Sequence, residues 1–180
     1  QLTVSHTRVT ASTAGLRLPL AYAPFDLFWV APLSYAALFY VWSGLTPLKA
    51  LWTGFAFGCT SFFVGVHWVY VSIHDFGSAH PFLAGTITVA LVLFLACYVA
   101  LTGWLAARWF PTEGSRAWLV VFPALFVFTE WCRGWLLSGF GWLAAGYSQT
   151  DSWLMGYAPM GGVYLMSWAG LLTPGARVWC

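Results

Sequence analysis

Apolar residues run along this chain in stretches about as long as a bilayer is thick, and the charged residues fall between those stretches. A helix needs roughly 20 apolar residues to cross about 30 Å of hydrocarbon. Charge-free runs of that length predict spans at 27–48, 50–71, 82–107 and 153–172, and a further span at 117–137 carries Glu130 and Arg133 inside it. Pro32 and Pro47 predict a kinked or short first span, and Pro159 with Gly161-Gly162 interrupts the last. The pattern predicts an all-α polytopic transmembrane helical bundle of about five spans. Residues 1–26 read as a polar N-terminal segment or a degenerate first span, 27–172 as the helical membrane domain, and 173–180 as a short tail.

Composition removes the soluble alternative. Of the 180 residues, 61% are hydrophobic and 7% charged, whereas a soluble domain uses about a quarter charged residues to cover its surface. The 13 Trp and 8 Tyr suit a headgroup boundary, which accommodates both an apolar ring and its polar atom. The net charge of +2 and the lack of any basic run exclude a nucleic-acid partner. Cys59, Cys97, Cys132 and Cys180 show no C-x-x-C spacing, so neither a disulfide framework nor a zinc site is expected. The first 17 residues lack the apolar core of a cleavable signal, so insertion would rely on the first span.

The junctions predict an orientation. Lys49, the Arg108/Arg116 pair and Arg177 lie after the first, third and fifth spans, while 72–81 and 138–152 contain no Lys or Arg. The positive-inside rule puts the basic junctions in the cytoplasm and the other two outside. On this count Arg8 and Arg17 fall on the outer side, in disagreement with the rest, unless residues 9–26 hold a further span.

Glu130 and Arg133 are the costliest residues in the chain, because burying a charge in lipid costs a few kcal/mol. Their i, i+3 spacing puts them on one helix face, where they read as a structural ion pair near the outer interface. The following stretch, Gly139 to Asp151, combines flexible glycines with Trp142 and Tyr147 and a polar tip of Ser148, Gln149 and Asp151. It reads either as a loop that cradles a lipid headgroup or another domain, or as a connector whose rings mark the headgroup level. His67, His74, Asp75 and His80 gather near the other outer junction, but at spacings of seven and six that match no compact metal motif, so they read as interfacial polar residues. Gly54-x-x-x-Gly58 predicts close helix packing. No cofactor or metal is expected. No nucleophilic site assembles either: Lys49 lies at the end opposite Glu130, and Cys132 sits on a different face of its helix.

Ala23-Pro-Phe-Asp26, His67-Trp-Val-Tyr-Val-Ser-Ile-His-Asp-Phe-Gly77, Glu130-Trp-Cys-Arg-Gly-Trp135, Ser138-Gly-Phe-Gly-Trp142, Gly146-Tyr-Ser-Gln-Thr-Asp151 and Ala158-Pro-Met-Gly-Gly-Val-Tyr164 follow one another in this order. Together, over roughly residues 18–168, they resemble the membrane half of bacterial apolipoprotein N-acyltransferases. The resemblance implies an inner-membrane protein whose family moves an acyl chain from a phospholipid to the α-amine of a lipoprotein's diacylglyceryl-cysteine. The family does this through a cysteine thioester in a periplasmic nitrilase-like domain, with a Glu base and a Lys that stabilises the oxyanion. Membrane phospholipids and a lipoprotein precursor are the implied partners. The resemblance aligns Trp142 and the Gly146–Asp151 stretch, including Tyr147, Ser148 and Gln149, with positions facing that domain.

Three departures accompany the likeness. A polar N-terminus stands where the family has its first span, Pro174 to Cys180 breaks the expected apolar continuation, and Phe-Gly-Trp142 replaces Phe-Pro-Trp. No residue here matches the family's three catalytic ones, so the expectation is a truncated membrane portion that is inactive alone. The other reading is a non-enzymatic polytopic protein, either a small transporter or the membrane partner of a separate catalytic subunit.

Overall fold

The computed structural model describes residues 4–136 and 139–178. Residues 1–3, Leu137 at the end of the expected fourth span, Ser138 of the quoted motif, the Arg177 side chain and Trp179-Cys180 of the tail lie outside the described residues. The described chain is all helical. Its α-helices are α1 (Val4–Arg17), α2 (Val30–Trp42), α3 (Pro47–Gly65), the short α4 (Trp68–Val71), α5 (Pro81–Trp109), α6 (Phe122–Trp135) and α7 (Ala158–Val178).

The least apolar of them, α1, satisfies hydroxyls on its own backbone. Thr10 Oγ1 donates to the His6 carbonyl at 2.9 Å and Thr13 Oγ1 to Thr10 at 3.0 Å, so these groups need no water. Its small face, with Ala11 and Ala14 buried, packs on α3. A Cβ at Gly15 would collide with the Phe57 carbonyl and the Thr60 hydroxyl. Thr7 meanwhile shares a cleft with Lys49 at the start of α3, so the two helices run parallel.

The tightest seam joins α3 to α5. A Cβ on Gly54 would lie 2.7 Å from the Val99 carbonyl oxygen, and one on Gly58 would lie 2.8 Å from Ala96 Cα. The small-x-x-x-small pattern therefore brings two antiparallel backbones together, as its spacing predicts. Beside this seam Trp42 is fully buried, donates Nε1–H to the Ala50 carbonyl at 3.1 Å, and packs on Phe39 and Phe122. This tryptophan thus sits in the core.

Length and composition by themselves mark fewer spans than the five expected. Among the described residues, α5 (29 residues, with an 18-residue stretch of mean hydropathy 2.4) and the helical run Ala117–Trp135 (19 residues, 1.2 over its most apolar 18) are each long and apolar enough to cross a membrane. The helix α3 qualifies only together with Trp68–Phe76, across a bend of 48°. The expected span 27–48 contracts to the 13 residues of α2, about 20 Å, because Pro47 starts a new helix. In the run 153–172, Trp153–Tyr157 is a 3₁₀ turn, and Gly162, at φ +62°, breaks α7 near its start. Two spans by length, or three with the bent pair, stand where about five were expected.

The bundle has two distinct ends. At one, the α2–α3 turn meets the α5–α6 connection, where the Gly44 N–H donates to Thr112 Oγ1 at 3.2 Å. Arg8, beside Thr7, belongs to this end together with Lys49, Arg108 and Arg116. The junction count puts Arg8 with Arg17 at the other end unless residues 9–26 hold a further span. The parallel course of α1 and α3 places Arg8 at this end and leaves Arg17 at the other.

Candidate functional site

The site lies at the other end, where α6 stops and the chain folds back over it. Leu136 leaves the helix in an extended conformation, and Gly139 turns the chain at φ +72°. The Phe140 N–H then donates to the Arg133 carbonyl at 2.9 Å. This return carries residues 140–149 across the tops of α1, α2, α3 and α7.

Both charges of α6 hold that return in place. Glu130 and Arg133 are 5% and 4% exposed, on the inward face of the helix. Arg133 Nη2 lies 3.9 Å from Glu130 Oε1, so the i, i+3 pairing forms. Each partner also makes a shorter contact to the loop backbone. Glu130 Oε1 accepts the Ala145 N–H at 2.6 Å, and Arg133 Nη1 donates to the Trp142 carbonyl at 2.9 Å. The guanidinium carbon also lies 5.1 Å from the centre of the Phe62 ring of α3. An ionised partner roughly doubles the strength of such a hydrogen bond. The pair is thus a clamp that fixes the path of residues 142–145.

Other helices complete the hold. Tyr22, just after α1, donates its hydroxyl to the Leu143 and Ala144 carbonyls, each at 3.2 Å. Ser167 of α7 accepts the Gly146 N–H at 2.7 Å, and a Cβ on Gly146 would strike the Val163 carbonyl. Gln149 Nε2 donates to the Phe28 carbonyl at 3.1 Å and to Ser148 Oγ at 3.0 Å, while Ser148 donates to the Ala145 carbonyl at 2.7 Å. Beneath the loop is a cavity of about 20 Å³, lined by Tyr35, Tyr98, Thr129, Glu130 and Arg133 among others.

The five residues expected to meet a substrate divide into two groups. Ser148 and Gln149 are buried, with their polar atoms engaged inside the loop. Trp142 and Tyr147 are half exposed and Asp151 is exposed. The Trp142 ring packs on Trp68 with centroids 5.2 Å apart, tying the loop to the bent end of α3–α4. Trp153 and Tyr157, further along the chain, form a second exposed ring pair with centroids 6.5 Å apart. The histidines of the neighbouring junction are each engaged locally: His67 with the Val64 carbonyl, His74 with the Ala79 carbonyl, and His80 with the Phe82 N–H. Sequence reasoning missed Tyr22 and Ser167. The available signal was a lone hydroxyl in an otherwise apolar stretch, which needs a partner once buried.

A family model described as the apolipoprotein N-acyltransferase N-terminal domain matches residues 14–176. The chain belongs to the apolipoprotein N-acyltransferase family. It is 47% identical over 167 residues to the apolipoprotein N-acyltransferase of Methylococcus capsulatus, an overlap covering 90% of this chain and 33% of that protein. Similarity to the enzyme of Azotobacter vinelandii is equal in identity, 47% over 164 residues, covering 91% of this chain and 32% of the relative. The Coxiella burnetii enzyme is 45% identical over 160 residues, covering 88% and 33%. The chain therefore spans about a third of the length of these relatives.

Proposed function

We propose that this chain is the membrane portion of an acyltransferase that moves an acyl chain from a phospholipid to the N-terminal diacylglyceryl-cysteine of lipoproteins. Its helices cross a bacterial inner membrane several times. On this reading α2, the bent α3–α4, α5, α6 and the main part of α7 make the five expected passes, and α1 is a short, degenerate first one. Arg8, Lys49, Arg108 and Arg116 at one end put that end in the cytoplasm by the positive-inside rule. The clamped loop then faces outward.

In this role the chain supplies anchoring and lipid access, and no residue of it is assigned a catalytic part. The observation that carries the reading is the clamp. Two buried charges spend their strongest hydrogen bonds on loop backbone, which presents Trp142 and Tyr147 outward on a fixed frame. Such a frame suits the docking of a nitrilase-like acyl-transfer domain and the positioning of lipid substrates. Trp142, Tyr147 and Asp151 would touch those partners, and Ser148 and Gln149 would hold the loop's shape.

A hybrid enzyme tests this. Residues 14–176 would replace the corresponding region of the Methylococcus capsulatus relative, and the product would be assayed in phospholipid vesicles with a diacylated lipopeptide. N-acylation by the hybrid, with none by the 180-residue chain alone, is the expected result. A folded, membrane-inserted hybrid without activity would refute the assignment.

A further inference from the structure

At the end of the bundle away from the loop, α1 and the α2–α3 turn enclose a cleft of about 620 Å³ that the acyl-transfer reading leaves unused. Its lining mixes two chemistries. Thr7, Ser43 and Thr46 bring hydroxyls, Tyr40 and Leu45 bring apolar surface, and Lys49, the chain's one lysine, brings a positive charge. Among the described residues Lys49 is exposed and makes no ion pair. Arg8 follows Thr7 in α1 and is also exposed, and Arg108 and Arg116 belong to the same end. The opposing charge is Glu113, whose carboxylate sits over Gly44 at the side of the turn.

We infer that this cleft binds the headgroup of an anionic phospholipid of the cytoplasmic leaflet. The inference rests on the membrane orientation proposed above. Basic pockets between helices on the cytoplasmic side suit such headgroups, because the phosphate meets a cation at a depth where the glycerol meets apolar walls. Lys49 holds the phosphate, Thr46 offers a hydroxyl to another of its oxygens, and Tyr40 flanks the glycerol. Arg8 adds long-range attraction. The lipid joins α1 to the α2–α3 hairpin, where α1 is too polar to be held by hydrocarbon alone. Its role is structural, and it is distinct from any acyl donor at the loop end.

Native mass spectrometry of the 180-residue chain in neutral detergent, titrated with phosphatidylglycerol or phosphatidylcholine, tests this. The chain should retain phosphatidylglycerol preferentially. Lys49→Gln and Arg8→Gln should each weaken that binding about fivefold, while Arg17→Gln, at the other end, should leave it unchanged. A photoreactive phosphatidylglycerol should label residues 40–49 of the unmodified chain, which keeps the test independent of how the variants fold. Equal retention of both lipids, equal loss in Arg17→Gln, or labelling confined to the loop end would overturn the proposal. Glycerol phosphate binding as tightly as the lipid would overturn it too, since the site would then serve a soluble anion. Carbonate extraction of membranes checks the orientation's premise separately: a chain that leaves the membrane refutes the membrane reading itself.

Discussion

Glu130 Oε1 and the backbone N–H of Ala145 lie 2.6 Å apart, joining the last turns of α6 to a loop fifteen residues further along. A carboxylate in this position binds backbone, so its use does not depend on the side chains the loop carries. The same holds for Arg133, which grips the Trp142 carbonyl. The fold thus fixes where the loop runs through contacts to its backbone.

Removing one clamp charge should cost far more than removing a surface pair. Arg133→Leu leaves Glu130 buried without its cation, and the expected loss is about 3–5 kcal/mol. Exposed ion pairs give about 0–1 kcal/mol. Denaturant unfolding in detergent, followed by circular dichroism, measures this, and Glu130→Leu should behave alike. The double variant should lose much less than the sum of the two.

Two neutral contacts to the loop should be weaker and local. Tyr22→Phe removes the donor to the Leu143 and Ala144 carbonyls, and Ser167→Ala removes the acceptor of the Gly146 N–H. Each should cost about 1 kcal/mol. Hydrogen exchange should quicken at Gly146 in Ser167→Ala while α3 and α5 keep their protection.

Gly54→Val and Gly58→Val should separate α3 from α5, because each new side chain meets backbone that cannot give way. Overpacking of this kind costs typically about 1–3 kcal/mol. Gly85→Ala, where a Cβ meets nothing within 4 Å, serves as the control and should be neutral or slightly stabilising. Thermal unfolding midpoints of the three variants check the order.

Trp142→Ala and Tyr147→Ala should separate folding from activity in the hybrid enzyme. Both side chains are half exposed, so each change should move stability by less than about 1 kcal/mol, with Trp142 the larger through its contact with Trp68. Acyl transfer should nonetheless fall at least tenfold if these rings meet substrate or the catalytic part.

Much of this architecture could be read from apolar run lengths alone. The run 82–107 became Pro81–Trp109 almost unchanged, because nothing polar interrupts it. The spacing of Glu130 and Arg133 gave their pairing, but not the loop contacts, which come from a chain reversal that no local pattern announces. Ser148 and Gln149 read as an exposed polar tip because polar residues usually face outward. Their burial follows from hydrogen bonds with Ala145 and Phe28, the latter distant in sequence. The helix α1 reads only as a polar segment or a degenerate first span for a related reason, since hydroxyls that bond back to their own helix still count as polar in any hydropathy sum. Trp42 shows that a count of rings does not place any one of them, since its one polar atom finds the Ala50 carbonyl inside the core.

Orientation is the most direct test of the account. In a background with Cys59, Cys97, Cys132 and Cys180 replaced by Ser, single cysteines at Tyr147 and Ser43 would be probed in intact spheroplasts with a membrane-impermeant maleimide. The account predicts labelling of Tyr147→Cys at once and of Ser43→Cys only after the membrane is permeabilised. Labelling of Ser43→Cys in intact cells, or of both positions alike, would contradict it.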